Sequence, residues 1–361
     1  MSSLATPEIS VAAIAAKVEL GHRIDVAEAR WLWLNASDEE LRALAGRVRD
    51  RFHGSGTCTY MVMRIINYTN VCVAQCDYCA FYRLPGQEGG YVMEQEQVFA
   101  KLDELLALGG DLAAFNGGFN PALPLSYYCD LFAAIRARYG DSVEFYALTI
   151  AEFMYLADHA KLSFAEAAVR LKDAGVRWIT GGGSEILTES FRARHSKFKY
   201  TVAEYFEAQR AIVAVGLKTT ATMVIGFDET LDERLEHMDR TRVFQDETQG
   251  LASFLCWTFK PYFTQIGGIE ITTAEYLRHL ALCRIFFDNI SRIRTSVLTQ
   301  NQRALEGLNY GADDFDLPIE DEVTQKAGAT ISLDFERILD YARELGFAPE
   351  YRHVTVASVT G

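Results

Sequence analysis

No uninterrupted apolar run in these 361 residues reaches the roughly 18 that a membrane-spanning helix needs, so no spanning segment is expected. A basic excess is missing as well. Thirty-five Lys and Arg stand against 49 Asp and Glu, a formal charge of −14, which argues against a chain that neutralises nucleic-acid phosphates or lies on an anionic membrane. The N-terminal stretch MSSLATPEISVAAIAAKVELGHR has no basic segment followed by a continuous apolar one. It does not read as a secretory signal, and the expected compartment is the cytoplasm. Internal repeats, low-complexity segments and long linkers are absent, and no GxGxxG follows a first strand, which removes the fingerprint of a dinucleotide-binding sheet. What is present is ordinary globular material, 49% apolar and 23% charged residues, enough for a sizeable core.

The pattern changes once along the chain. Up to about residue 58 it is helical: Leu41, Leu44, Ala45 and Val48 fall at helical spacing behind Ser37, a candidate N-cap. From Thr59 short β-rich runs alternate with amphipathic helices, the signature of parallel βα units. Seven strands are readable, near 59–68, 112–116, 143–148, 176–180, 217–225, 251–259 and 292–298. Helices fall between them, with further ones at 230–245 and 272–288, and the tail reads as one or two helices before a short β-like end, YRHVTV. The expected fold is therefore α/β, a TIM-like (β/α) barrel, full or partial. A helical segment over 1–58 precedes the barrel over 59–317, and a helical extension over 318–361 follows it.

Seven cysteines make an odd number for a disulfide framework, and three of them crowd together as Cys72, Cys76 and Cys79 in NYTNVCVAQCDYCAFYR. This CxxxCxxC follows the first barrel strand directly, where such folds build their active sites. Three thiolates at these separations can hold a four-iron cluster with one iron left open. The competing readings are a zinc site, which calls for four closed ligands, and merely buried cysteines; no fourth Cys or His stands nearby at zinc-like spacing. Cys58, Cys129, Cys256 and Cys283 are isolated in strand or helix patterns and read as buried, inert thiols.

The triplet resembles that of the radical S-adenosylmethionine (SAM) superfamily. The resemblance implies a [4Fe-4S] cluster, SAM bound at its open iron, reductive cleavage to a 5′-deoxyadenosyl radical, and an external electron donor of flavodoxin or ferredoxin type. It also implies roles for other strand ends. Tyr78 matches an aromatic residue near the adenine. Asn116, Gly117 and Gly118 in NGGFNP match the glycine-rich stretch that meets the methionine amino group. Gly182 and Glu185 in GGGSE would contact SAM, and Gly226 and Glu229 in VIGFDET fill a GxxE ending that packs on adenine. Taken alone, the glycines are strand-to-helix turns and both glutamates are first-turn helix acids. All three motifs fall at C-terminal strand ends, hence on one barrel face with the cysteines.

INYTNVC, CAFYR, GGGSEIL, KTTATM, QDETQG and WTFKP are similar to one subfamily, the enzymes of futalosine-dependent menaquinone synthesis and their deazaflavin-forming relatives. WTFKP and LTQ resemble its cyclases, which abstract a ribose hydrogen, add the sugar radical to an aromatic ring, and lose an electron and a proton. The implied substrate is nucleoside-like, with dehypoxanthine futalosine first in line. Departures stand at Asn116, at YALTIAEF, at Val297 and Asn301, and in GADDFDLP, so a paralogue acting on another nucleoside-like or aromatic compound is the alternative. Candidate substrate residues are Arg64, Asn67, Glu152, Asp246, Trp257, Thr299 and Gln300, with Arg64 the expected partner of a substrate carboxylate. A non-catalytic iron–sulfur carrier or zinc protein is the third reading, and it requires four closed ligands.

Overall fold

A computed structural model describes residues 9–196 and 200–354. Three helices precede the first strand: α1 (Val11–Glu19), α2 (Val26–Asn35) and α3 (Asp38–Phe52). The start of α3 is where Ser37 predicts it. The Ser37 hydroxyl accepts from Glu40 N while the Glu40 carboxylate accepts from Ser37 N, so two otherwise unpaired donors are satisfied reciprocally.

The alternation then begins with β1 (Thr57–Ile66), α4 (Gln95–Ala107), β2 (Leu112–Phe115), α5 (Leu125–Tyr139) and β3 (Glu144–Thr149). It continues through α6 (Ile150–His159), α7 (Phe164–Asp173), β4 (Trp178–Thr180), α8 (Glu189–His195), α9 (Val202–Ala214) and β5 (Thr219–Ile225). The second half holds α10 (Leu231–Thr248), β6 (Leu251–Thr258), α11 (Thr273–Phe286), β7 (Ile293–Thr295), α12 (Val297–Gln300) and β8 (Asp314–Pro318). The chain ends in α13 (Glu322–Lys326), α14 (Phe335–Glu344) and β9 (Ala348–Tyr351).

Eight strands lie parallel in the order β4-β3-β2-β1-β8-β7-β6-β5, and β9 pairs with the start of β1. The two ends of that path meet at a single bridge, where Ile179 N donates to Lys218 O (3.1 Å) and Lys218 N to Arg177 O (2.9 Å). The barrel is thus nearly closed, with one thin seam between β4 and β5. Alternation along β1 sorts its side chains between two cores. Met61, Met63 and Ile65 face inward with Leu112, Tyr146 and Trp178, whereas Val62 and Ile66 join the apolar layer beneath the helices.

The seven expected strands each have a counterpart; β8 is an eighth that the sequence reading missed. Its alternation is inverted. Asp314 and Asp316 are the inward residues, meeting Thr59, Arg352 and Arg294, while Phe315 and Leu317 pack outward into the apolar layer. At the C-terminus the strand forms at Ala348–Tyr351, earlier than YRHVTV suggests. Residues 355 and 356 of that run lie outside the described residues.

Candidate active site

The C-terminal ends of the strands enclose a chamber with about 1700 Å³ of empty space, its open mouth included. It is concave and lined largely by apolar side chains, as small-molecule sites are. Cys72, Cys76 and Cys79 stand in its wall. The loop that carries them is held by its own backbone: Cys72 N donates to Arg83 O (2.9 Å), Arg83 N to Asn70 O (2.8 Å), and Cys79 N to Cys76 O (3.1 Å). It is also laced to the end of β2, since Gly118 N donates to Thr69 O (2.9 Å) and Val73 N to Phe119 O (3.1 Å).

The three thiols share one wall without being drawn into a ready-made cage: among the described residues no group of three or more His, Cys, Asp or Glu side chains is poised to hold a metal ion. The donor set nonetheless suits an iron–sulfur cluster. Ala74 N points at Cys72 Sγ (3.4 Å), and the backbone N–H groups of Phe81 and Tyr82 bond to the Cys79 sulfur, the kind of contact that stabilises cluster thiolates. Burial, then the neighbouring Cys76 and Cys72, push the Cys79 thiol up to about 11. Three thiolates fit together here when a cation lies among them.

Of the other SAM-side candidates, all but Gly226 and Glu229 fall around the same chamber. The Tyr78 hydroxyl lies 3.1 Å from Ser196 Oγ, and its ring meets Phe227 edge-on at 5.5 Å; Phe227 in turn stacks on Phe259 at 4.3 Å. Asn116, Gly117, Gly118, Gly182 and Glu185 all line the chamber. A Cβ at Gly117 would sit 2.6 Å from the Tyr68 ring, and one at Gly118 only 2.2 Å from Val71 O, so these positions exist as close approaches between the β1 and β2 ends. Glu185 has a φ of +41°, a left-handed conformation uncommon for a residue other than glycine. Gly226 and Glu229 stand outside the chamber wall. The Glu229 carboxylate accepts from Gly226 N (2.9 Å) and Phe227 N (2.8 Å) and pairs with Arg234, so it shapes the β5 turn from behind.

Of the substrate candidates, Glu152, Trp257 and Thr299 line the chamber. Glu152 accepts from Tyr68 Oη, Gly117 N (2.8 Å), Thr149 N (2.9 Å) and Thr149 Oγ1 (2.6 Å), a carboxylate fully engaged in tying three strand ends together. Asn67 and Gln300 are likewise occupied with the scaffold. Asn67 donates to Asn116 O and accepts from Glu322 N, and Gln300 links Thr273 to Thr258.

Two expectations are corrected. Arg64 points out of the barrel, where it bonds Glu320 (2.9 Å), Glu104 (2.5 Å) and Lys101 O (2.9 Å), because its neighbours Met63 and Ile65 take the inward face. Asp246 lies at the end of α10, before β6 begins, and so at the opposite end of the barrel, where it pairs with Arg23 (2.5 Å) and Asn289 (2.8 Å). Chamber residues that the sequence reading passed over are Lys260, bonded to Glu270 (2.5 Å), and Arg294 on the floor. Arg294 sits in the run RIRTSVL, where strand alternation alone could have flagged one of two arginines as inward.

The remaining cysteines are scaffold. Cys58, Cys256 and Cys283 are buried and Cys129 is half-buried on α5, away from the chamber lining. Cys129→Ala is expected to leave iron loading and turnover within about twofold of wild type, because a half-buried helix Cys to Ala change costs little; loss of iron in this variant, measured by iron assay, would show the ligands to be misassigned.

A barrel with three cysteines after its first strand and glycine-rich endings on the following ones defines a class, and known proteins bear on it. Residues 66–241 match the family model of the radical SAM superfamily, and residues 248–358 match that of the CofH/MqnC C-terminal region. The chain belongs to the radical SAM superfamily, in the group of CofH and the cyclic dehypoxanthine futalosine synthases. It is 35% identical over 347 residues to the cyclic dehypoxanthine futalosine synthase of Halalkalibacterium halodurans, covering 95% of this chain and 94% of that one. It is also 35% identical over 324 residues to the aminodeoxyfutalosine synthase of Thermus thermophilus, covering 88% and 86%. The crystal structure of methylornithine synthase superposes with a TM-score of 0.74 over 96% of this chain and 99% of that one, at 15% identity, a likeness of fold alone. The protein is a radical SAM-type enzyme related to those of the futalosine pathway; use of SAM and a [4Fe-4S] cluster is a trait of the superfamily. Among the described residues no helix is long and apolar enough to cross a membrane.

Proposed function

We propose that this chain binds a [4Fe-4S] cluster through Cys72, Cys76 and Cys79, binds SAM beside it, and cyclises a nucleoside-like substrate, dehypoxanthine futalosine. The relation to the Halalkalibacterium enzyme along nearly the whole of both chains carries the choice of substrate. The chamber, which brings the three cysteines and the glycine-rich strand ends to one wall, supports the choice of chemistry. When bound, the cluster and SAM supply a 5′-deoxyadenosyl radical by reductive cleavage. The chain's own residues bind, orient and shield. Gly117 and Gly118 let backbone come close to the methionine moiety, Glu185 reaches toward SAM, and Tyr78, Phe227 and Phe259 form an aromatic wall beside adenine. The mainly apolar chamber keeps water and stray hydrogen donors from a carbon radical.

The test is anaerobic reconstitution with iron and sulfide, then incubation with a reduced flavodoxin or ferredoxin, SAM and dehypoxanthine futalosine. Each turnover should give one 5′-deoxyadenosine and one product two hydrogens lighter than the substrate, one hydrogen leaving to the radical and the second as an electron and a proton. SAM cleavage that leaves this substrate unconsumed would move the enzyme to a paralogous reaction, of which the equally identical aminodeoxyfutalosine synthase offers the first example to assay. No cleavage by a loaded enzyme would overturn the radical reading.

A further inference from the structure

Three carboxylates stand in the chamber wall, those of Glu152, Glu185 and Asp321, and among the described residues no His joins them. Their surroundings set them apart. Glu152 has both oxygens engaged, Oε1 by Gly117 N and Tyr68 Oη, and Oε2 by Thr149 N and Thr149 Oγ1. Glu185 lies close enough to Tyr78 to add, after burial and Cys76, to the upward push on its hydroxyl, which places it on the cysteine side. Asp321 is different. Beyond β8 the chain runs on beside β1, with Ile319 N donating to Met63 O (2.8 Å) and Ile65 N to Glu320 O (3.0 Å), so Asp321 is the first residue past that ladder. It is 2% exposed. Its Oδ2 accepts from Thr324 Oγ1 (2.7 Å) and Thr324 N (3.2 Å), which caps α13, whereas Oδ1 is buried without a hydrogen-bond partner.

Capping accounts for half of this side chain. An N-cap needs one acceptor, and Ser, Thr or Asn supplies it without an ionisable group. At the surface the second oxygen of a capping Asp is answered by water; here it is buried, where an unanswered carboxylate oxygen is costly until a donor reaches it. Asn67 stands nearby, yet its side-chain amide is spent on the scaffold, its nitrogen donating to Asn116 O (2.9 Å) and its oxygen accepting from Glu322 N (2.7 Å). Burial pushes the Asp321 carboxyl up, against Thr324 and Asn67, which pull it down. A carboxylate so placed takes a proton more readily than one in water. Val323 and Ala327, its companions in this part of the wall, offer no competing acceptor side chain.

We infer that Asp321 is the proton acceptor of the ring closure, its Oδ1 taking the proton that leaves the aromatic ring once the sugar radical has added to it. The ring C–H bond breaks and an O–H bond forms on Asp321. The C–H electron pair returns to the ring, the one surplus electron passes to an oxidised iron–sulfur cluster, and the ring is aromatic again. Asp321 then gives its proton to water at the chamber mouth. This deepens the function proposed above and rests on it for the reaction that releases the proton.

The test is Asp321→Asn, because Asn caps a helix as well as Asp does and the fold is kept; iron content and Tm should match wild type. Reconstituted enzyme is given SAM, reduced flavodoxin and dehypoxanthine futalosine, and single turnovers are followed by mass spectrometry and electron paramagnetic resonance. The variant should form 5′-deoxyadenosine in the wild-type amount, since hydrogen abstraction comes first, while cyclised product appears about 100-fold more slowly, within the range of general-base catalysis. An organic radical should accumulate whose hyperfine splitting changes when the substrate ring is deuterated. Asp321→Glu, which keeps the carboxylate, should recover at least about a tenth of the wild-type rate. Three results would each overturn the assignment: product formation by Asp321→Asn within about threefold of wild type, product lost together with 5′-deoxyadenosine, or product lost with no ring radical. The last two are what a residue that only positions the ligands would give. The two readings fail separately. Wild-type enzyme that leaves dehypoxanthine futalosine unconsumed loses the cyclase reading, and Asp321 as acceptor with it, whereas wild type that cyclises it while Asp321→Asn keeps pace loses Asp321 alone.

Discussion

Replacing Cys72, Cys76 or Cys79 singly by Ala is expected to abolish SAM cleavage, with iron content falling to background and the fold retained. The reasoning starts from ligand count. Three cysteines are what the loop offers to four irons; removing one leaves two, and a cluster so held is lost rather than weakened. The fold survives because the loop's shape comes from backbone bonds, Cys72 N to Arg83 O and Cys79 N to Cys76 O, which an Ala at either position preserves. The barrel strands themselves carry none of the three. The measurement pairs iron and sulfide analysis and 5′-deoxyadenosine formation with far-UV circular dichroism. Full cleavage in any one variant would remove that cysteine from the cluster, and collapse of the fold would show that the thiols are core rather than ligands. Cys129→Ala, carried in parallel, separates loss of a ligand from loss of any thiol.

How far the sequence carried this reading depends on what each residue faces. The seven strands were legible because central parallel strands are apolar on both faces and bounded by polar turns. β8 was not, since its inward residues are Asp314 and Asp316 and their partners, Arg352 and Arg294, come from 38 and 22 positions away. Charge pairing across a barrel interior leaves no periodic trace along one strand. Arg64 shows a related limit. Val62 and Ile66 are as apolar as Met63 and Ile65, so a strand with two apolar faces does not announce which side its arginine takes. Asp246 was readable in principle, because it precedes β6 and strand starts lie away from the active face. The triplet and the glycine-rich endings were legible for a different reason. Their positions follow from where strands stop, and stops are marked locally by glycine. Which of the surrounding polar groups face a ligand and which, like Glu152 or Glu229, brace the backbone is decided by hydrogen bonds between distant segments.

That bracing leads to the second large effect. Gly118→Val should cost most of the iron loading and nearly all SAM cleavage, and Gly118→Ala should fall in between. A Cβ at this position would lie 2.2 Å from Val71 O and 2.7 Å from Cys72 Cβ. Neither neighbour is the end of a flexible side chain. Val71 is backbone in the cysteine loop, and Cys72 is a proposed ligand, so relief comes only by pushing the loop away from β2. The movement breaks Gly118 N to Thr69 O and Val73 N to Phe119 O, the two bonds that lace the segments together, and swings Cys72 out of register with Cys76 and Cys79. The cost is of the order of 1–3 kcal/mol for overpacking, more once backbone bonds are lost. Gly46 supplies the contrast. It lies inside α3 with nothing within 4 Å of a built Cβ, and Gly in a helix interior is about 1 kcal/mol worse than Ala, so Gly46→Ala should leave iron loading intact and raise Tm by about 2 °C. The same substitution then has opposite signs at two glycines, and the sign is set by what stands opposite the missing Cβ. Iron analysis and thermal melts on both variants decide it: normal iron in Gly118→Val would mean that the cysteine loop tolerates displacement and is not shaped by its contact with β2.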